Sequence, residues 1–182
     1  GPRWTGDVAC IESKLEDPLR WKKPRRVFVN SMSDLFHEDI PDDYIAKVWS
    51  VMLRSPQHTF QILTKRPGRM RSILNSPRLF ESMAHDAGML SEEVEQWPLP
   101  NVWLGVSAEN QLWADVRIPK LLNTPAVVRF VSAEPLLGPL DLNRYIGDPS
   151  GLRDDWTQLL DWVIVGGESG RGARPMHPDW AR

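Results

Sequence analysis

Five apolar runs along the chain each end in a short cluster of polar residues. They are VFVNSMSD ending at Asp34, FQILTKR at Arg66, VWLGVSAEN at Asn110, VRFVSAEP at Pro135 and WVIVGGES at Ser169. Continuous apolar runs are typical of strands buried on both faces, as in parallel sheets. In parallel α/β sheets and barrels the ligand lies beyond the carboxyl ends of the strands. The pattern therefore predicts parallel strands with a site at their polar ends.

The polar clusters recur at intervals that fit one strand, one helix and two loops. From Ser31 to Gly166, corresponding positions in neighbouring clusters are 25 to 43 residues apart, the length of a βα unit. We therefore expect an α/β protein with mostly parallel strands, arranged as a partial (β/α) barrel. The expected organisation is a single domain over residues 1–182, with a lead-in segment at 1–24 and insertions at 77–100 and 141–160.

The segments between the strands carry helical signals. After Pro41, apolar residues recur with the helical period, and Asp42 and Asp43 suit the positive end of a helix dipole. A weaker helix begins at Pro67. Pro119 lies within the next helical segment, so we expect a kink or two short helices there. The periodic positions after Pro41 are Tyr44, Ile45, Val48, Trp49, Met52 and Leu53.

Composition narrows the class of protein. The 182 residues are 41% hydrophobic, enough for one buried core. Lys and Arg number 22 against 24 Asp and Glu, so the net charge of −2 gives no support to a nucleic-acid partner. The sequence has no run of about 18 apolar residues, and we expect no membrane association. Cys10 is the single cysteine, which excludes an internal disulfide and fits a cytoplasmic protein.

The tetrapeptide Val-Ser-Ala-Glu occurs twice, each time at the end of a predicted strand. Side chains alternate along a strand, so Ser107 and Glu109 point the same way, as do Ser132 and Glu134. If the two strands are neighbours, two carboxylates and two hydroxyls converge on the mouth of the barrel. Glutamates at the ends of buried strands are rarely buried unless paired or functional. Glu109 and Glu134 are therefore the strongest site candidates.

Polar residues after the first two strands are further candidates. Asn30, Ser31 and Asp34 line a cavity in one interpretation and form a capped turn in the other. The next strand ends in a tripeptide with two cations, which suit an anionic cofactor or substrate group. The same tripeptide equally fits a solvated loop before a helix, or a bridge from one cation to a strand-end glutamate. The candidates in this tripeptide are Thr64, Lys65 and Arg66.

The last strand leads into a loop rich in glycine. Gly166 and Gly167 leave room for close approach of a ligand, or simply form a tight turn. Glu168 follows them, and Arg174 is a candidate anion contact. Asn110, after the third strand, completes the candidate cavity-lining residues. The histidines have no metal-ligand spacing, so we expect surface or capping roles and no metal site; they are His37, His58, His85 and His177.

Five strings taken together carry a family resemblance. They are VFVNSMSDLFHEDIP, QHTFQILTKRP, LPNVWLGVSAENQ, VRFVSAEPLLGPLDL and DWVIVGGESGRGARPMHPDW. The chain resembles, from about Leu15 to its end, the phage-associated family named after gene products thirty-seven and sixty-eight, also called three-cysteine-motif proteins. That family is similar to the radical S-adenosylmethionine enzymes in its barrel and in an amino-terminal cysteine cluster. The resemblance implies a 4Fe–4S cluster and S-adenosylmethionine as cofactors of the full-length protein.

The chain departs from that family at both ends. The cluster cysteines of the family would lie before residue 1, and Cys10 matches none of them. Three thiolates are needed to hold such a cluster with one iron open, so we expect these 182 residues alone to carry no cofactor and to be inactive. The resemblance implies that the first strand and the final unit of the barrel are missing. We expect two unpaired sheet edges, which a protein partner would cover or which would favour aggregation.

Three functions remain open at this stage. The first is the barrel body of a radical S-adenosylmethionine-type protein, with a cofactor and substrate cavity at the carboxyl ends of the strands. The second is a glycosidase-like barrel that uses the paired glutamates as acid and nucleophile. The third is a non-catalytic binding module. The substrate is an unidentified small molecule or macromolecule in each case.

Overall fold

The computed structural model describes residues 7–146 and 159–181. Five strands form one sheet in the order β1-β2-β3-β4-β5, and every neighbouring pair is parallel. Each strand begins at or one residue before one of the five apolar runs, and the predicted α/β class and common strand direction are confirmed. The strands are β1 (Arg26–Val29), β2 (Thr59–Thr64), β3 (Val102–Ser107), β4 (Val128–Ala133) and β5 (Trp162–Val165).

Helices and short turns connect the strands. The helices are α1 (Glu12–Leu15), α2 (Asp17–Arg20), α3 (Asp42–Leu53), α4 (Pro67–Leu74), α5 (Pro77–Asp86) and α6 (Gln111–Leu122). Single turns of 3₁₀ helix lie at Ser91–Glu93, Asn143–Tyr145 and Pro178–Ala181. Within the described ranges, no helix is long and apolar enough to cross a membrane.

The helix predicted after Pro41 is confirmed as α3. Pro41 occupies the N-cap position, and Asp42 and Asp43 lie in the first turn, where the helix dipole favours negative charge. The apolar stripe of α3 faces the core, with Ile45 and Trp49 almost fully buried. Burial of this stripe supplies most of the stability of such a helix.

Pro119 does not divide the third connecting helix. The structure has one helix, α6, with Pro119 inside it, so the expected alternative of two short helices is wrong. Proline removes one backbone donor, but it lies in the last turns of α6, where only one internal hydrogen bond is lost. Buried side chains on one stripe, including Ala114, Ile118 and Leu121, hold the helix to the sheet through this position.

The two faces of the sheet are covered to different extents. Phe60, Ile62 and Thr64 of β2 are buried, whereas the alternating residues between them are half-buried. Strand register places Phe28 and Trp162 on the second face, where 44% and 43% of their surfaces are exposed. The helices therefore cover the first face more completely than the second, although Phe130 on the second face is also buried. The strand order is compatible with a partial β/α barrel.

The segments predicted as insertions are described only in part. Residues 77–100 contain α5 and a 3₁₀ turn, and their status as an insertion stays a prediction. Residues 1–6 of the lead-in segment and residues 147–158 of the second insertion lie outside the described residues. In the described part of the chain, β1 pairs only with β2 and β5 only with β4, so one edge of each is unpaired.

The surface role expected for His58 is wrong. This side chain is 1% exposed, and its Nδ1 accepts a hydrogen bond from the backbone N–H of Arg25 at 3.2 Å. Its Nε2 lies 3.1 Å from the carbonyl oxygen of Pro18. His58 thus fastens the lead-in segment to the start of β2. His37 and His177 follow the capping prediction, because each accepts from a backbone N–H two residues further along.

Candidate functional site

The polar clusters meet at the carboxyl edge of the sheet, as expected for parallel strands in sequential order. Ser107 and Ser132 are paired in register at the ends of β3 and β4, and both are buried. The remaining predicted site residues fall into several contact groups along this edge. In each group, the loop that follows a strand positions the polar side chains.

Asp34 is the centre of the first group. Its carboxylate accepts hydrogen bonds from the Thr64 hydroxyl at 2.7 Å, the Lys65 backbone N–H at 3.0 Å and the Arg66 guanidinium at 3.1 Å. It also accepts from the backbone N–H of Phe36, two residues ahead. The capped-turn interpretation of this segment is therefore observed. Asp34 joins the loop after β1 to the loop after β2, and the charge of Arg66 is offset within that junction.

Asn30, Ser31 and Asn110 take different positions around the same edge. Asn30 follows β1 in a left-handed conformation with φ of 58°, which asparagine tolerates better than most residues. Ser31 is exposed at the rim. The Asn110 side chain accepts from the backbone N–H of Trp113 at 3.1 Å and caps the start of α6.

Glu109 is held between two cations in the second group. Lys65 Nζ lies 2.5 Å from one carboxylate oxygen of Glu109, and Arg117 Nη1 lies 3.0 Å from the other. Arg117 also donates to the Ser107 carbonyl oxygen at 2.9 Å. The guanidinium of Arg117 stacks 4.2 Å from the centre of the Trp113 ring. Of the alternatives for the cations after β2, the bridge from Lys65 to a strand-end glutamate is the one that the structure shows.

These contacts set the protonation of Glu109. Burial alone raises the pKa of this carboxyl, but the hydrogen bond from Lys65 and the charge of Arg117 outweigh it, so the pKa lies below its usual value. Both carboxylate oxygens are already bonded to cations. Glu109 is therefore a charged structural link between α6 and the loop after β2.

Glu134 forms the third group and has quite different neighbours. The Ser132 hydroxyl donates to one oxygen of the Glu134 carboxylate at 3.1 Å. The other oxygen lies over Gly166, where a Cβ atom would be only 2.3 Å away. Glu134 is exposed, and within the described residues no cation lies in ion-pair range of it. The absence of a side chain at Gly166 thus gives this carboxylate its position.

The loop after β5 forms the last group. Arg174 donates to Glu168 through its backbone N–H at 2.7 Å, through Nε at 2.8 Å and through Nη2 at 2.8 Å. These hydrogen bonds lower the pKa of Glu168 to about 2. Gly167 lies nearby, where a Cβ atom would be 3.6 Å from that of Met176. Anion binding by Arg174 stays a prediction, and its charge is offset by Glu168.

A cavity of about 950 Å³ opens beside β1 and β2. Its polar wall includes predicted site residues, and its apolar wall comes from the lead-in segment and from α3. Such a volume matches small-molecule sites, which are mostly apolar with a few polar groups. The predicted residues that line it are Asn30, Ser31, Asp34, Thr64, Lys65, Arg66 and Ser107.

Arg117 is a site residue that was not predicted, although its position in the sequence indicates a buried partner. It lies on the stripe of α6 formed by Ala114, Ile118 and Leu121, all buried. A charged residue on a buried stripe requires a partner, because an unpaired buried charge is costly. The cavity wall formed by Tyr44 and the lead-in segment was missed as well. It depends on how the segment before β1 packs, which periodicity does not indicate.

The residues present do not fit an iron–sulfur cluster on their own. A 4Fe–4S cluster with one open iron needs three thiolates, and the chain has one cysteine, Cys10, which is half-buried. Within residues 7–146 and 159–181, no three His, Cys, Asp or Glu side chains are placed to share a metal ion.

Comparison with known families matches residues 2–182 to the family described as "Protein of unknown function (DUF5131)". The chain belongs to the DUF5131 family. The match spans the whole sheet and every contact group described above. No curated protein and no solved structure matches this DUF5131 chain.

Proposed function

We propose that this chain is the ligand-binding body of a barrel of the radical S-adenosylmethionine type, with its cofactor and substrate cavity at the carboxyl ends of the strands. The observation that carries the proposal is the cavity of about 950 Å³ beside β1 and β2, lined by polar residues from three successive strand ends. Ligands of parallel α/β sheets bind at this edge.

The chemistry of the cavity suits a small molecule with an apolar part and several polar groups. Ile11 and Phe28 contribute exposed apolar surface, and Ser31 and Ser107 contribute hydroxyls. S-adenosylmethionine has this character, since a flat base is joined to a sugar and an amino acid. The cluster chemistry of the resembling enzymes requires thiolates beyond Cys10, so the proposal for these residues is limited to binding.

The glycosidase alternative receives no support from the contacts of Glu109. A nucleophilic carboxylate needs an oxygen that faces the substrate, and an acid needs a raised pKa. Both oxygens of Glu109 are bonded to Lys65 and Arg117, and its pKa is lowered. We therefore develop only the binding role.

The test is isothermal titration of the purified chain with S-adenosylmethionine. We expect saturable binding, and Ser107→Ala should weaken it by about two- to tenfold, the effect of one lost hydrogen bond. Ser72→Ala, at an exposed position of α4, is the matched control and should bind as the wild type does. No heat of binding at millimolar ligand would contradict the proposal, as would equal affinity of the Ser107→Ala variant.

A further inference from the structure

The two strand-end glutamates, Glu109 and Glu134, differ in their ion pairs. Glu109 is neutralised by Lys65 and Arg117, and Asp34 offsets Arg66. Within the described residues, Glu134 has no cation partner. Among the three carboxylates in the contact groups from β1 to β4, Glu134 is therefore the one without an ion pair in the described part of the chain.

The carboxylate of Glu134 has one oxygen that accepts no hydrogen bond from the described part of the chain. Ser132 donates to Oε2, and Oε1 lies over Gly166. Carboxylates accept strong hydrogen bonds from cations, and an ammonium group offers three donors. Glu134 is exposed as a residue, and no described group donates to Oε1, so a ligand that bonds to this oxygen displaces no described protein partner.

Two neighbouring residues, Ser132 and Gly166, determine where this carboxylate lies. Ser132 is 4% exposed, so its hydroxyl is fixed at the end of β4. Gly166 pairs with the same strand end, since its N–H donates to the Ala133 carbonyl oxygen at 3.3 Å. A side chain at Gly166 would occupy the place of the carboxylate. Ordering a flexible glutamate before binding lowers the entropy cost of holding a ligand.

We propose that Glu134, positioned by Ser132 and Gly166, binds the ammonium group of a small-molecule ligand. The inference rests on the proposed function, because the ligand is the one proposed to bind at the carboxyl edge of the sheet. It adds that one end of this ligand carries a positive charge. Ser107, which lines the cavity, is paired in register with Ser132. Adjacent strands are about 4.8 Å apart, so a nucleoside-sized molecule spans from the cavity to Glu134.

Apolar surface lies along the same face of the sheet. Ile164 is paired with Ser132 and is half-buried. Further toward the strand starts, Trp162 is 43% exposed and contacts the Phe130 ring with a centroid separation of 5.8 Å. A suitable ligand therefore has an apolar ring system and a terminal ammonium group. Tryptamine is a simple probe of this class, and indole-3-propionate has a similar body with the opposite charge.

The experiment measures binding of tryptamine and of indole-3-propionate by saturation-transfer NMR. We expect the wild type to bind tryptamine in preference to indole-3-propionate. Glu134→Gln should weaken tryptamine binding by about five- to tenfold, as expected for loss of a partly solvated ion pair. Glu81→Gln, an exposed position on α5 that makes the same charge change, should have no effect.

Gly166→Ala is the second variant, and it should weaken tryptamine binding while lowering the temperature of thermal unfolding only slightly. Equal affinity of the wild type and Glu134→Gln for tryptamine would overturn the inference, as would binding of neither probe. Failure of S-adenosylmethionine to bind, with Glu134-dependent tryptamine binding intact, contradicts the proposed function and leaves this inference standing. The reverse result overturns the inference alone.

Discussion

The ends of β3 and β4 carry the same four residues, Val-Ser-Ala-Glu, and their glutamates lie in different surroundings. Glu109 is 9% exposed and is bonded to two cations. Glu134 is exposed and is bonded to a serine hydroxyl. Identical local sequence therefore leads to one structural carboxylate and one available carboxylate.

The residue after each glutamate explains much of this difference. Asn110 caps α6, and the helix returns Arg117 to Glu109 eight residues later. Pro135 takes the corresponding place after Glu134, and the described chain continues there without a helix until the 3₁₀ turn at Asn143–Tyr145. Within residues 7–146 and 159–181, no cation lies in ion-pair range of Glu134. The role of a strand-end carboxylate thus depends on the element that follows it.

Replacing Arg117 with methionine should give the largest effect, because it leaves Glu109 buried with one cation fewer. We expect the free energy of unfolding to fall by about 3 kcal/mol, as for the loss of one partner from a buried ion pair. Chemical denaturation measures the change. Arg78→Met is the control, since the Arg78 and Asp43 side chains are both more than 70% exposed, and its effect should stay within about 0.5 kcal/mol. Equal effects of the two variants would show that Glu109 is not a structural link.

Two glycines near these strand ends allow a second comparison. Gly105 lies within β3, and Gly166 follows β5 beside Glu134. In Gly105→Ala, the new Cβ atom would lie 2.4 Å from the buried Phe130 ring. We expect a loss of about 1 to 3 kcal/mol, typical of overpacking a core. Gly166→Ala should destabilise less, because the atom in its way is the end of the flexible, exposed Glu134 side chain. Thermal denaturation of both variants measures this, and the opposite order would contradict it.

Gly68→Ala provides the reference for these substitutions. Gly68 lies in α4, and a Cβ atom there meets nothing within 4 Å. Alanine favours the helix over glycine by up to about 1 kcal/mol, so this variant should be neutral or more stable than the wild type.

The strand layout was predictable from sequence because each strand is a continuous apolar run that stops at polar residues. The helix after Pro41 was predictable for a similar reason. The partner of Glu109 was not, since Arg117 lies on another element and only tertiary packing brings the two together. The buried position of His58 likewise depends on the fold of the lead-in segment.

Acid should weaken the Glu109 link, because protonation removes the charge that Lys65 and Arg117 contact. The folded pKa of Glu109 is lowered by Lys65 and Arg117, so its contribution to stability is fully present above the ordinary carboxyl pKa of about 4.3. That contribution is lost as the pH falls below 4.3 and through the folded pKa. In Glu109→Gln, the free energy of unfolding should fall less steeply with decreasing pH in the acid range than in the wild type. Urea denaturation at several pH values measures this. An unchanged slope would contradict the ion-pair assignment.

Glu134→Gln should have the smallest effect on stability, which separates its role from that of Glu109. The carboxylate is exposed and lacks an ion pair within the described residues, so its removal takes away one hydrogen bond acceptor that the amide oxygen replaces. We expect a change within about 0.5 kcal/mol, as for most surface substitutions. Denaturation of this variant beside Glu109→Gln measures the contrast. A large loss for Glu134→Gln would mean that both strand-end glutamates are structural and that neither is kept for a ligand.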